Sequence, residues 1–186
     1  DWEAAWGYDP ALYWPILHFA RLHRVPLRAL NITPELRRRL STERWSAVPL
    51  AERHAITVPA APPAAYRERL TALYARHPMG DGAAGRERFI TAPLAWDRAM
   101  ATALAEIAAD GRLAVGIIGQ GHVRFGHGVA HQLRDLGVAA PAALLPWPAD
   151  ATDCPPPEPG VADALFGLET RATPPSPRLG IRLSAA

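Results

Sequence analysis

The feature that most constrains this chain is an apolar run, Leu113 to Ile118, that passes directly into a glycine-rich loop, GQGHVRFGHG. A run that is hydrophobic throughout, rather than alternating, is the pattern of a parallel strand covered on both faces. Parallel strands need crossover connections, usually helices, so the run predicts an α/β fold. Gly119, Gly121, Gly126 and Gly128 then let the backbone turn sharply and approach a ligand, with His122 and His127 set among them. In open α/β sheets ligands bind beyond the carboxyl ends of the strands, which is where this loop falls.

Helical and extended stretches alternate on either side of it. Asp9-Pro10 starts a helix whose apolar face runs from Leu12 to Leu22, with Pro15 marking a kink or a later true start. It stops near His23–Arg24, because Val25-Pro26 favours extended backbone, and Leu27 to Ile32 follows as a short buried strand carrying Asn31. This is the αβ half of a βαβ unit whose first strand is not in the chain. Thr33-Pro34-Glu35 starts the next helix, which is predicted to reach about Trp45, with Arg37, Arg38 and Arg39 on a solvated face.

Between Ser46 and Arg88, prolines break the chain into short pieces around a modest helix, Ala64–Arg76, and a loop, His77–Gly82. A long helix is predicted from Glu87 to about Asp110, divided or kinked at Pro93 and ended by Gly111. Beyond the glycine loop come a short helix, Val129–Leu136, a strand, Ala142–Leu145, and two further edge-strand candidates, Ala164–Leu168 and Leu179–Leu183. The expected architecture is α/β: a mostly parallel sheet flanked by helices, formed by residues 1–45 and 89–186, with 46–88 inserted as a small helical lobe or lid.

Composition removes several function classes. A net charge of +2 is too small to argue for nucleic acid, and no apolar run approaches the ~20 residues of a membrane span. The lone cysteine, Cys154, excludes an intrachain disulfide and a cysteine metal cluster. All 20 basic residues are arginine, which reads as coding bias rather than as a demand for bidentate contacts. The opening DWEAAWGYDP reads as the interior of a larger domain, which leaves the compartment open.

Topology then sorts the candidate residues. A helix leading into a parallel strand begins on the rim where strands end, so Tyr8 is expected near Asn31 and His122. Tyr8 also suits a packing role at the helix start, and Asn31 a cap on the following turn. His122 is the residue that a structural role explains least. His127 and His131 are four apart, but glycines at 126 and 128 argue against a helical histidine pair. Asp97, beside Trp96, is expected to cap or pair locally. The G-x-G-x-x-G, phosphate-loop, G-x-S-x-G and H-E-x-x-H motifs are absent.

Three segments in order, WGYDPALYWPILHFARLHRVPLRALNI, APLAWDRAMATALAEI and GIIGQGHVRFGHGVAHQL, resemble the ChaN-type haem-binding uptake proteins of bacteria. That family is related more distantly to the Tiki and erythromycin-esterase-like group. The resemblance extends to about Pro148 and implies a parallel sheet with helices and a small helical lobe. It also implies an upstream strand, ending in a Gly-Glu-x-His-type motif, that is not part of this chain. Family members resemble haem-binding lipoproteins of iron uptake in the cell envelope or periplasm. They hold haem pairs at a homodimer interface, with a tyrosine on iron and a histidine near the propionates.

Carried over by motif, that histidine is His122, with Arg124 beside it for the propionates. The iron ligand is expected to be Tyr8, by topology, or His127, which stands where relatives carry an aromatic hydroxyl; Asn31 completes the rim. The alternative implied by the wider superfamily is a hydrolase, with His122 as general base or metal ligand.

Overall fold

The computed structural model describes Trp2 and residues 7–76, 82–148 and 156–169. The first helix, α1, spans Trp14–Leu22. Before it, the Asp9 carboxylate caps a 3-10 turn, Pro10–Leu12, by accepting from the Ala11 N–H at 2.8 Å. Pro15 lies in the first turn of α1, where a missing N–H costs nothing, so the helix starts late rather than kinking. Helix α2, Pro34–Thr42, is capped as its sequence predicts, Thr33 Oγ1 accepting from Leu36 N–H at 3.2 Å. It stops short of Trp45, which opens a separate 3-10 turn, Trp45–Ala47.

Helix α3 is Ala64–Arg76. Helix α4 is Gly82–Ala109, longer than expected at its start and continuous through Pro93. Gly111 follows it with φ 72°, the left-handed turn that glycine allows after a helix. Helix α5 is Val129–Asp135, and Gly137, at φ 87°, closes it in the same way.

Among the described residues the expected mostly parallel sheet is not borne out. Among the described residues only two strands pair, β1 (Leu144–Pro148) and β2 (Ala164–Leu168), in parallel from Leu144 opposite Ala164 to Pro148 opposite Leu168. Strand β1 carries two prolines, which a two-stranded ladder tolerates because each strand keeps an open edge. The expected strands at Leu27–Ile32 and Leu113–Ile118 belong to no ladder among the described residues.

The apolar run is covered on one side only. Ala114 and Ile118 face the α4 and α5 core with Leu30, while Leu113 and Val115 are 90% and 77% exposed. Apolarity therefore reported burial on one face, and a ladder additionally needs a neighbouring backbone.

Helix α4 is the element on which the core is built. Ala95 packs with Ile32, Leu36, Leu40, Trp45 and Val48. Met100, Ala101 and Leu104 pack with Val129 and Leu133 of α5. Ile90 and Leu94 pack with Tyr66 and Leu70 of α3. Among the described residues no helix is long and apolar enough to cross a membrane. His77, Cys154 and the strand expected at Leu179–Leu183 lie outside the described residues.

Candidate functional site

Asp97 lies on the buried stripe of α4, three residues after Leu94 and four before Ala101, and is fully enclosed. A carboxylate in that position needs hydrogen bonds to offset its lost hydration. Two elements supply them. Tyr66 of α3 donates its hydroxyl to Asp97 Oδ2 at 2.9 Å, and His122 Nδ1 lies 2.6 Å from Oδ1. Burial, and then the neighbouring Asp97 carboxylate, push the Tyr66 phenol far above its ordinary range, so it remains a donor.

His122 sits in the 3-10 turn Gln120–His122, with its side chain 28% exposed. Its Nδ1 is committed to Asp97. Gly128 lies close against this contact. A Cβ there would collide with the His122 carbonyl oxygen and meet Asp97 Oδ1 at 3.0 Å, so only glycine lets the returning loop pass.

The second half of the loop carries His127. Its ring stacks on Phe125 at a centroid distance of 5.6 Å and lies 6.3 Å from the Tyr66 ring. Phe125 has φ 60°, an uncommon conformation for a bulky residue, and its N–H donates to Val161 C=O at 2.8 Å. The Arg69 guanidinium covers both the Tyr66 and Phe125 rings. Burial, followed by the charges of Arg69 and His131, pushes His127 below its ordinary value, so the ring is neutral at neutral pH. Its Nδ1 is buried without a hydrogen-bond partner among the described residues, as is Nε of Arg124, whose guanidinium lies over Trp147.

The residues expected from sequence are partly assembled. His122, Arg124 and His127 share the loop. Asn31 joins through Trp96, whose Nε1–H donates to Asn31 Oδ1 at 2.7 Å and whose ring centroid is 6.0 Å from that of His122. Trp96 also ends a cavity of about 520 Å³ lined by Leu40, Phe89, Ala92 and Pro93, with Arg37 on its wall. Tyr8 is 60% exposed before α1, and among the described residues no hydrogen bond or ring contact joins it to His122 or His127.

Three residues escaped the sequence reading. Asp97 does not cap or pair locally; its partners come from α3 and the glycine loop. The signal was available, since a carboxylate at the i+3 and i−4 positions of an apolar stripe must be paired. Tyr66 and Arg69, one helical turn apart on α3, had no such signal in sequence.

An imidazole anchored at one nitrogen by a buried carboxylate presents the other as a proton acceptor or a metal ligand. Among the described residues, no group of three or more His, Cys, Asp or Glu side chains could enclose a metal ion by itself. In comparison with known proteins, residues 1–133 match the model of a family described as haem-binding uptake, Tiki superfamily, ChaN. No curated protein and no solved structure matches the chain.

Proposed function

The chain belongs to the haem-binding uptake family of ChaN, in the Tiki superfamily, and from that premise we propose that it binds haem at the glycine loop as part of bacterial iron uptake. The observation that carries this reading is the pair of imidazoles in one loop, His122 anchored to Asp97 and His127 neutral with a buried, unpartnered nitrogen. The donor set suits the group: histidine and tyrosine are haem iron ligands, and arginine pairs with carboxylates such as propionates. Tyr8 or His127 would bind iron, Arg124 the propionates, and Asn31 the rim beside His122.

Haem supplies an iron centre that takes axial ligands. The chain's contribution would be to hold donor side chains and aromatic surfaces, Phe125, Trp96 and Trp147, around it. In this reading residues 46–88, which bring Tyr66 and Arg69 to the loop, act as the covering lobe, and two copies of the chain share the bound haem. Titration with hemin tests the proposal. A saturable, shifted Soret band that is weakened in His122→Ala and in His127→Ala is the expected result. Absence of any shift in either redox state would end this reading.

A second reading has one observation in its favour. Asp97 bound to His122 Nδ1 leaves Nε2 able to accept a proton, as in a hydrolytic general base. Hydrolytic activity that disappears in His122→Ala, together with no hemin binding, would select it.

A further inference from the structure

The cavity beside Trp96 lies between α2 and α4, and its composition differs from that of the glycine loop. Its α4 wall is Phe89, Ala92, Pro93 and Trp96, at the i, i+3, i+4 and i+7 positions that share one helix face, and α2 contributes Leu40. From Gly85 to Trp96 the lining follows α4 for about 16 Å, so the site is long rather than compact. At about 520 Å³ it falls within the range that takes small molecules.

The charge of the lining is one-sided. Arg37 and Arg88 line the cavity and no acidic side chain does. The carboxylates around α2 are used on other arginines: Glu35 lies beside Arg38, and Glu43 and Glu52 pair with Arg39. Other donors in the lining are committed as well. Ser41 and Thr42 donate their hydroxyls to the Arg38 and Arg39 carbonyls, and Trp96 donates its Nε1–H to Asn31. That leaves the Arg37 guanidinium to meet the anionic end of a ligand, and a planar guanidinium suits a carboxylate. None of the lining side chains is a histidine, tyrosine, cysteine or methionine, the residues that hold haem iron.

We propose that this cavity is a separate binding site for a straight-chain carboxylate of the fatty-acid class. The chain lies along the Phe89–Trp96 wall and the carboxylate rests on Arg37. The proposal goes beyond the haem reading and does not depend on it.

Nitrogen–proton NMR of the whole chain tests it, with monomeric laurate as the probe and the Trp96 indole N–H, fixed on Asn31 at 2.7 Å, as the reporter. Laurate should shift that signal saturably. Acetate, which has no chain, should not, and dodecanol, which has no charge, should bind about tenfold or more weakly than laurate. Arg37→Gln should weaken laurate by a similar factor and leave dodecanol unchanged, a loss that follows the charge and that a disturbed fold would not produce. Ser41→Phe, at an exposed position of the lining, should block both probes.

A Trp96 signal unmoved by laurate, equal affinity for laurate and dodecanol, or undiminished laurate binding by Arg37→Gln would overturn the proposal. Hemin should bind alongside laurate; displacement of laurate by hemin would overturn the separate site. Laurate binding by a chain that takes up no hemin would end the haem reading and leave this one standing.

Discussion

Asp97 Oδ1 lies 2.6 Å from His122 Nδ1, joining the buried stripe of the longest helix to a glycine loop 25 residues further along the chain. The contact converts an otherwise ordinary loop histidine into an oriented group. It also explains why α4 carries a charge among apolar neighbours, since an unpaired carboxylate there would be strongly destabilising.

The closest backbone approach at the site lies at Gly128. Gly128→Ala is expected to lower stability by about 2 kcal/mol or more, because the added methyl group meets backbone and a buried carboxylate, neither of which can yield cheaply. Urea unfolding with an unchanged slope and a lower midpoint would report it.

Acid should destabilise the ligand-free protein through His127. Above its ordinary value of 6.5 the ring is neutral in both folded and unfolded chains. As pH falls below that value the unfolded chain binds the proton and the folded one resists, so stability falls until the folded ring protonates as well. Arg69→Met removes one of the charges responsible. The His127 proton NMR titration should therefore move up toward the ordinary value, and the acid loss should shrink.

Gln132 of α5 is a buried bracket for the chain before α3. Its Oε1 accepts from Ala60 N–H at 2.9 Å and its Nε2 donates to Ala60 C=O at 3.0 Å. Gln132→Leu keeps the volume and strands both backbone groups, at a cost of about 2 kcal/mol. Thermal unfolding should show a lower midpoint, with the largest loss of amide exchange protection around residue 60.

The Thr33 hydroxyl caps α2 by accepting from Leu36 N–H. Thr33→Ala should cost about 1 kcal/mol, while Thr33→Ser should be close to neutral. Denaturant midpoints of the two variants separate the cap from any effect of side-chain volume.

Much of the helical framework was legible before folding. The Thr33-Pro34 start, the bounds Ala64–Arg76, the stops at Gly111 and Gly137, and the segment Ala164–Leu168 all stand where residue chemistry puts them. Caps, proline positions and glycine turns act within about four residues, so they can be read from neighbours alone. The glycine loop and its His122 were visible for the same reason.

Pairing across distance was not legible. Leu113–Ile118 has the composition of a buried strand, but the ladder it was expected to join depends on a backbone neighbour that composition does not specify. The site shows the same division. His122 could be named as a candidate from its loop, whereas its orientation depends on Asp97, 25 residues away, and on Tyr66, a further 31 residues from Asp97. Local chemistry decides where helices begin and end. The packing of α3 and the glycine loop onto α4 decides which nitrogen of His122 is taken, because only the fold brings the carboxylate to it.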